Sequence, residues 1–398
     1  MSPPTEQPTS WTQDWQNAKR ILCVRLDTIG DVIMTGPAMR ALKQSGPNHD
    51  PRHITLMTSS LGARVAPQLP DIDEVIVYDS PWLKATAPRQ TSQPEYDRFA
   101  SLRGRFDAAV IFTVYSQSPL PSAMMCYLAD IPLRLAHCHE NPYQLLTHWI
   151  RDPEPAKFTR HEVQRQLDLV ASVGATAKTG TGLALSVAPQ MQANMRSRLT
   201  AMGLDLSRPW IVLHAGATAL SRRYPPEQFA AVARALVQQG LAIVFTGVAS
   251  EADIVESIRQ QMQAPSYSLL GQLSLEEMTA LLAATPLLLS NNTGPVHMAA
   301  AVGTPVVDLY ALTNPQHTPW GVPNRVLFQD VPCRICYKSI CPEGHYHCLS
   351  QVEPQQVVKA VLDLLEATRS GRAAISDSFA LIRALSETAA PSETIFAL

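Results

Sequence analysis

The chain has 398 residues, 46% of them hydrophobic, which is too long for one ordinary core and apolar enough to build two. Its 32 Lys and Arg nearly balance 34 Asp and Glu, so no global basic field points to nucleic acid, and an anionic ligand must be held by a local site. No stretch reaches the ~18 uninterrupted apolar residues of a spanning helix, and the first residues carry neither a basic n-region nor an apolar signal core. A cytoplasmic protein is the expectation.

In chain order, residues 1–20 read as an N-terminal extension. ILCVRL, HITLMTS, EVIVYD and FDAAVIFTVY then read as short buried strands, with the amphipathic VIMTGPAMRALKQ after the first of them. The stretch QTSQPEYDRFASLRG reads as a loop followed by a helix. Strands alternating with helices predict a parallel sheet covered on both faces, a Rossmann-like half over residues 21–183. GATAKTGTGLALSVAPQ, rich in small residues and weakly periodic, places the inter-domain crossing near residues 176–190.

A second series spans residues 184–365, from the strand WIVLHAGA through PEQFAAVARALVQQG, LAIVFTG, EADIVESIRQQM, SYSLLG, LSLEEMTALLAA, PLLLSN and GPVHMAAAVG to TPVVDLY. Gly240 suits a helix C-terminus, and Ser274 with Glu277 forms a capping-box pattern. The tail, 366–398, holds one amphipathic piece, SFALIRAL, suited to packing back onto the first half.

Ligands of parallel α/β sheets collect at the carboxyl ends of strands, and three strand-end segments carry suitable chemistry. In RLDTIGDVIMTG, Gly30 permits a tight turn and Asp31 opens a helix, where a carboxylate is favoured by the dipole; a helix cap and a catalytic base both fit that position. Asp27 reads as a turn residue. In SNNTGPVHMAAAVGTPVV, the amides of Thr293 and Gly294 with His297 one turn in suit a phosphate, although a capped helix with a surface histidine fits as well. In HAGATALSRRYPPEQF, Thr218 lies in a small flexible loop, and Arg222 and Arg223 supply charge that can clamp a diphosphate or simply face solvent. Neither GxGxxG nor GxxxxGK[ST] occurs, which removes the simplest support for hydride transfer and P-loop chemistry.

Of seven cysteines, Cys23, Cys126 and Cys138 read as ordinary thiols. Cys333, Cys336, Cys341 and Cys348 crowd into one segment, with His345 and His347 between the last two. That spacing fits a closed structural zinc site, a buried thiol cluster or an oxidisable pair.

Together RLDTIGDVIMTGPAMRALK, HAGA with SRRYPPEQF, SNNTGPVHMAAAVGTPVV and CRICYKSICPEGHYHC resemble glycosyltransferase family 9, the ADP-heptose:lipopolysaccharide heptosyltransferases, over most of the chain. The resemblance implies a GT-B fold, two Rossmann-like domains with parallel sheets facing across a cleft, the N-terminal one binding acceptor and the C-terminal one nucleotide sugar. Asp31 matches the family's catalytic aspartate, a general base for an inverting displacement. Arg222 stands at the family's basic position, usually Lys. Thr218, Glu251, Thr293, Gly294 and His297 fall at or near donor-binding positions, and Asn292 stands where the family commonly has Asp. Oriented donors of this kind do the work a metal does elsewhere, so no cofactor is implied for catalysis, and a structural metal at the cysteines is the one metal the sequence suggests.

The implied partners are an ADP-heptose donor and a glycolipid acceptor at the inner membrane, with the enzyme cytoplasmic and peripheral at the inner face, and no nucleic acid. Arg103, Arg105, Arg151, Arg160 and Arg165 are too scattered to define a lipid-facing surface. Two other functions fit the same sequence: a related GT-B transferase with another sugar or acceptor, in polysaccharide or protein glycosylation, and a catalytically silent nucleotide-sugar binding protein.

Overall fold

The computed structural model describes residues 9–83, 87–374, 379–380 and 383–384. Its contacts divide the chain into two compact units, parted between Thr181 and Gly182 within the small-residue stretch.

The first unit is a six-stranded sheet: β1 (Arg20–Val24), β2 (His53–Thr58), β3 (Glu74–Val77), β4 (Ala108–Ile111), β5 (Leu133–Cys138) and β6 (His148–Arg151). The order is β3-β2-β1-β4-β5-β6, and every pairing is parallel. β1 lies at the centre, with Cys23 registered against Leu56 on one side and Val110 on the other. A strand flanked on both edges and covered on both faces has no wet side, which is why its residues Ile21 to Val24 are all buried and apolar. Leu22, Val24, Met57, Ala109 and Ile111 form one core layer with Met125 and Cys126 of the helix Leu120–Leu128.

β5 and β6 were not foreseen, because Arg134 and His137 interrupt the apolar run of β5 and β6 has four residues with polar ends. The buried Arg134 guanidinium is solvated by main chain, donating to the carbonyls of Leu145 at 2.8 Å and Gln144 at 2.9 Å. The described part of the N-terminal extension contains the helix Thr9–Gln16, and it packs on this unit. Trp15 is fully buried, and Arg52 donates to the carbonyls of Trp15, Ala18 and Leu42, joining helix and sheet.

The second unit repeats the plan with β7 (Trp210–His214), β8 (Ala242–Thr246), β9 (Tyr267–Ser268), β10 (Leu288–Asn291), β11 (Val306–Leu309) and β12 (Asn324–Leu327). The order is β12-β11-β10-β7-β8-β9, again all parallel and, counted from its own first strand, the same as in the first unit. Its core joins Ile211, Leu213, Phe245 and Leu289 to Phe229 and Leu236 of the helix Pro226–Gln238 and to Val361 and Leu364 of the helix Pro354–Arg369. Ser274 and Glu277 form the expected capping box, each backbone N–H bonded to the other's side chain, at 2.8 and 3.2 Å. Gly240 follows its helix at φ 85°, the left-handed region that glycine enters without strain. Half of SFALIRAL lies outside the described residues.

Each sheet therefore reverses its winding once, between β1 and β4 in the first unit and between β7 and β10 in the second. At such a switch point the loops leaving the strands diverge and open a crevice, the usual ligand position of this architecture.

Candidate active site

At the switch point of the first unit, Arg25 to Asp31 links β1 to the helix Ile29–Gln44. Asp31 occupies the third position of that helix, and its Oδ2 accepts from the Thr28 backbone N–H at 3.1 Å and the Thr28 hydroxyl at 2.8 Å. The aspartate is thus a helix cap. It is also more than that, since its Oδ1 faces the Arg25 guanidinium at 3.3 Å and 16% of the side chain stays accessible.

Arg25 is the residue that sequence reading passed over. Its fully buried guanidinium meets three carboxylates, Asp27 at 2.9 Å through Nε, Asp31 through Nη2 and Glu162 at 2.6 Å through Nη1. Glu162 begins the helix Glu162–Ala171, 137 residues away in sequence, and also accepts from Gln166 at 2.8 Å. No local pattern announces such a partner. Three carboxylates on one cation leave the cluster short of positive charge. Burial first, then the Asp31 and Glu162 charges, push Asp27 up to about 6, against the pull of Arg25 and of the Gln117 amide at 2.7 Å.

Asp27 opens onto a cavity of about 220 Å³ at the ends of β1 and β4. Trp82 and Phe112 give it apolar walls, and Thr113, Gln117 and Ser118 give it polar ones, a mixture suited to a hydroxylated ring. A guanidinium next to the same strand ends, Arg165, is spent on Asp152 and Glu154. Arg103, Arg105 and Arg160 are likewise ion-paired, with Asp130, Glu74, and Glu154 and Asp168 respectively.

At the second unit's switch point the loops after β7 and β10 are tied together by Asn291, another residue missed in the sequence. Its buried side chain donates to the Ala215 carbonyl at 2.7 Å and accepts from the Tyr224 N–H at 3.0 Å, spanning both ends of the arginine loop. Within that loop the two arginines separate in role. Arg223 donates to the Ala217 carbonyl at 2.8 Å, whereas Arg222, half-buried, forms no ion pair among the described residues. Thr218 is exposed on the same loop. Glu251 lies against Gly216 so closely that an added Cβ there would sit 1.9 Å from its carboxylate, and Glu251 Oε2 accepts from the Val248 N–H at 2.9 Å. Only glycine at 216 admits this approach.

Thr293 precedes the helix Gly294–Ala301. A side chain built at Gly294 would meet nothing within 4 Å, so there is open space beside this helix start, where the Thr293 and Gly294 N–H groups have no hydrogen-bond partner among the described residues and the dipole end is positive. His297 is buried rather than on the surface, edge-on to His317 with ring centroids 6.4 Å apart. Asn292 is also buried, and its Nδ2 donates to the Asp308 carboxyl and the His317 carbonyl, both at 2.9 Å. Burial pushes Asp308 up to about 8, so at neutral pH it is largely a neutral acid despite the nearby Arg222 charge. Arg222, Asn292, Thr293, Gly294, His297 and Glu251 thus cluster at one switch point, while Asp31 stands at the other unit's.

The four clustered cysteines are half-buried free thiols. They line, with His345, a cavity of about 20 Å³. Among the described residues, no three His, Cys, Asp or Glu side chains already stand grouped for a metal ion. No helix of the described residues is long and apolar enough to cross a membrane.

Two Rossmann-like units, each presenting polar groups at its own switch point, define the GT-B class of glycosyltransferases. The chain belongs to glycosyltransferase family 9 (heptosyltransferase), whose sequence model matches residues 89–347. Lipopolysaccharide heptosyltransferase 2 of Escherichia coli (strain K12) is 24% identical over 357 residues, 87% of this chain and 98% of that protein. Among solved structures, a glycosyl transferase family 9 protein from Veillonella parvula superposes with a TM-score of 0.72 at 25% identity, covering 87% of this chain and 97% of its own. The E. coli ADP-heptose lps heptosyltransferase II gives 0.68 at 24% identity, over 88% and 99%.

Proposed function

We propose that this glycosyltransferase moves heptose from ADP-heptose to a lipopolysaccharide core acceptor, with inversion at the anomeric carbon. The observation that carries the reading is the meeting, at one switch point, of an arginine that forms no ion pair among the described residues and a helix start beside open space. Arg222 and the Thr293–Gly294 amides form a grip for two phosphates, supplying the positive charge that a divalent cation supplies in other transferases. His297 and the buried Asn292–Asp308 pair hold the shape of that grip from behind, and Thr218 and Glu251 flank it. The names borne by the relatives, heptosyltransferase 2 and ADP-heptose lps heptosyltransferase II, support adenosine diphosphate and heptose as its contents.

The first unit takes the acceptor, its sugar ring in the cavity walled by Trp82, Phe112 and Gln117. Asp31 is the general base. Its carboxylate, oriented by Thr28 and Arg25, accepts the hydroxyl proton while that oxygen attacks the anomeric carbon and the diphosphate leaves. The acceptor being a membrane lipid, the enzyme works at the inner face of the cytoplasmic membrane as a peripheral protein. A different donor sugar is the reading favoured by one observation, the amide at position 292.

The test is product mass spectrometry with the purified chain, a heptose-deficient lipopolysaccharide and a panel of nucleotide sugars. ADP-heptose is expected to give the added heptose mass, and Asp31→Ala to abolish it while ADP still binds. Turnover with a different nucleotide sugar in preference, or undiminished turnover in Asp31→Ala, would overturn the donor and the base respectively.

A further inference from the structure

The loop from Cys333 to Cys348 plays no part in the grip described above, yet it is tied to it. Its Ser339 carbonyl accepts from the Ser221 N–H at 3.0 Å, and its Lys338 carbonyl accepts from the Ser221 hydroxyl at 2.7 Å, one residue before Arg222. On its other side the Ile335 and Tyr337 amides donate to the carbonyls of Leu312 and Thr313, at 2.6 and 2.8 Å. The loop therefore braces the arginine segment against the end of the sheet.

That brace is built in an unfavourable backbone. Ile335, Tyr337 and Tyr346 hold φ of 61°, 54° and 54°, in the left-handed region, and Ile335 is β-branched. Such a conformation is unfavourable and persists only where the surroundings over-determine it. Ile335 lies between Cys333 and Cys336, which both line one cavity. Of the four cysteines Cys348 packs against the buried Tyr310 and Leu312, and all four, with His345, are only half-buried. What they enclose is a space of about 20 Å³ that also touches Ser221, on the scale of a single ion or water.

His345 fixes the donor set. Its Nδ1 accepts the His347 N–H at 3.0 Å, so the ring proton sits on Nε2, which faces the Cys333 sulfur at 3.7 Å. The imidazole is thus a hydrogen-bond donor to a sulfur, the role of an outer-shell group that steadies a metal-bound thiolate, and four sulfurs remain as ligands.

We propose that Cys333, Cys336, Cys341 and Cys348 bind one thiophilic divalent cation, zinc by preference, as a closed four-sulfur site that locks the loop against the Arg222 segment. The four sulfurs line one cavity without yet standing grouped, so closing them on a common centre is the change that binding the cation would bring. As four S–metal bonds form, four thiol protons pass to solvent, and nothing is oxidised or reduced.

The experiment uses the full chain carrying a tag without histidines, expressed with zinc in the medium and purified under reducing conditions. Elemental analysis is expected to give one zinc per chain, and titration with a mercurial to release it as four thiols react. Replacement by cobalt is expected to give the sulfur-to-cobalt charge-transfer bands of a tetrahedral thiolate site. The Cys336→Ser, Cys341→Ser double variant should lose the metal, whereas Cys126→Ala keeps it. In stripped protein, amide exchange at Ser221, Ile335 and Tyr337 should quicken at least tenfold, a readout independent of any sugar donor. Folded wild-type protein with less than a tenth of an equivalent of metal would overturn the proposal, as would metal retained by the double variant or a disulfide within the four. Should the double variant fail to fold, the mercurial titration of wild-type protein decides alone.

Discussion

Replacing Asp27 with Asn tests the charge arithmetic of the first unit directly. Asp27 shares one buried guanidinium with Asp31 and Glu162, and its carboxyl stands at about 6 against an ordinary value of 3.8. Between those values the folded chain holds a proton that the unfolded chain has released. Stability contributed by this group is therefore complete below 3.8 and is lost as pH rises through 6. A gap of about two units corresponds to ~3 kcal/mol, of which roughly half is lost between about pH 5 and about pH 8. Asparagine preserves the shape and cannot ionise, and a flip of the Gln117 amide restores their mutual hydrogen bond. The measurement is urea unfolding at both pH values, read from amide exchange in β1 peptides so that the first unit is followed by itself. Wild-type protein should lose about 1.5 kcal/mol relative to Asp27→Asn on going from the lower to the higher pH. Parallel curves, or a wild type that gains on the variant as pH rises, would refute the claim that Arg25 is over-subscribed.

Asp31→Asn retains an oxygen for the Thr28 cap while removing the proposed base, so it should fold normally and lose on the order of 10²–10⁴-fold in kcat, measured by ADP release. Arg222→Ala should weaken ADP binding by about 1.5–3 kcal/mol in calorimetry, roughly 10- to 150-fold, and Arg223→Ala by far less, because Arg223 is committed to the Ala217 carbonyl. Asn292→Asp turns a donor into an acceptor opposite the His317 carbonyl, at an expected cost of about 1–3 kcal/mol in urea unfolding. Its deficit should widen as pH rises toward about 8, where Asp308 would otherwise ionise beside it.

The alternation of apolar runs and helices was legible in the sequence wherever a strand carries four apolar residues in a row, as residues 21–24 in β1, Ala108–Ile111 in β4 and residues 210–213 in β7. It failed at β5, β6 and β12, where Arg134, His137, His148 and Arg325 stand within strands near a sheet edge. Strand-end motifs were visible because small and charged residues follow apolar runs at fixed distance. What no window of sequence contains is the pairing of Arg25 with Glu162, or the way Asn291 draws Ala215 and Tyr224 together, since those partners are 137, 76 and 67 residues apart. Asp31 showed both faces of its ambiguity: the cap is real, and the guanidinium beside it is what a capping role alone does not require.

Because both sheets are wound in the same strand order, each carries a complete crevice built from its own loops. The chain is in this sense modular: recognition at one crevice can drift through substitutions after β1 and β4 without disturbing the nitrogen atoms presented after β7 and β10. Chimeras exchanging only the first half between family members should therefore keep nucleotide affinity while changing which alcohol is glycosylated.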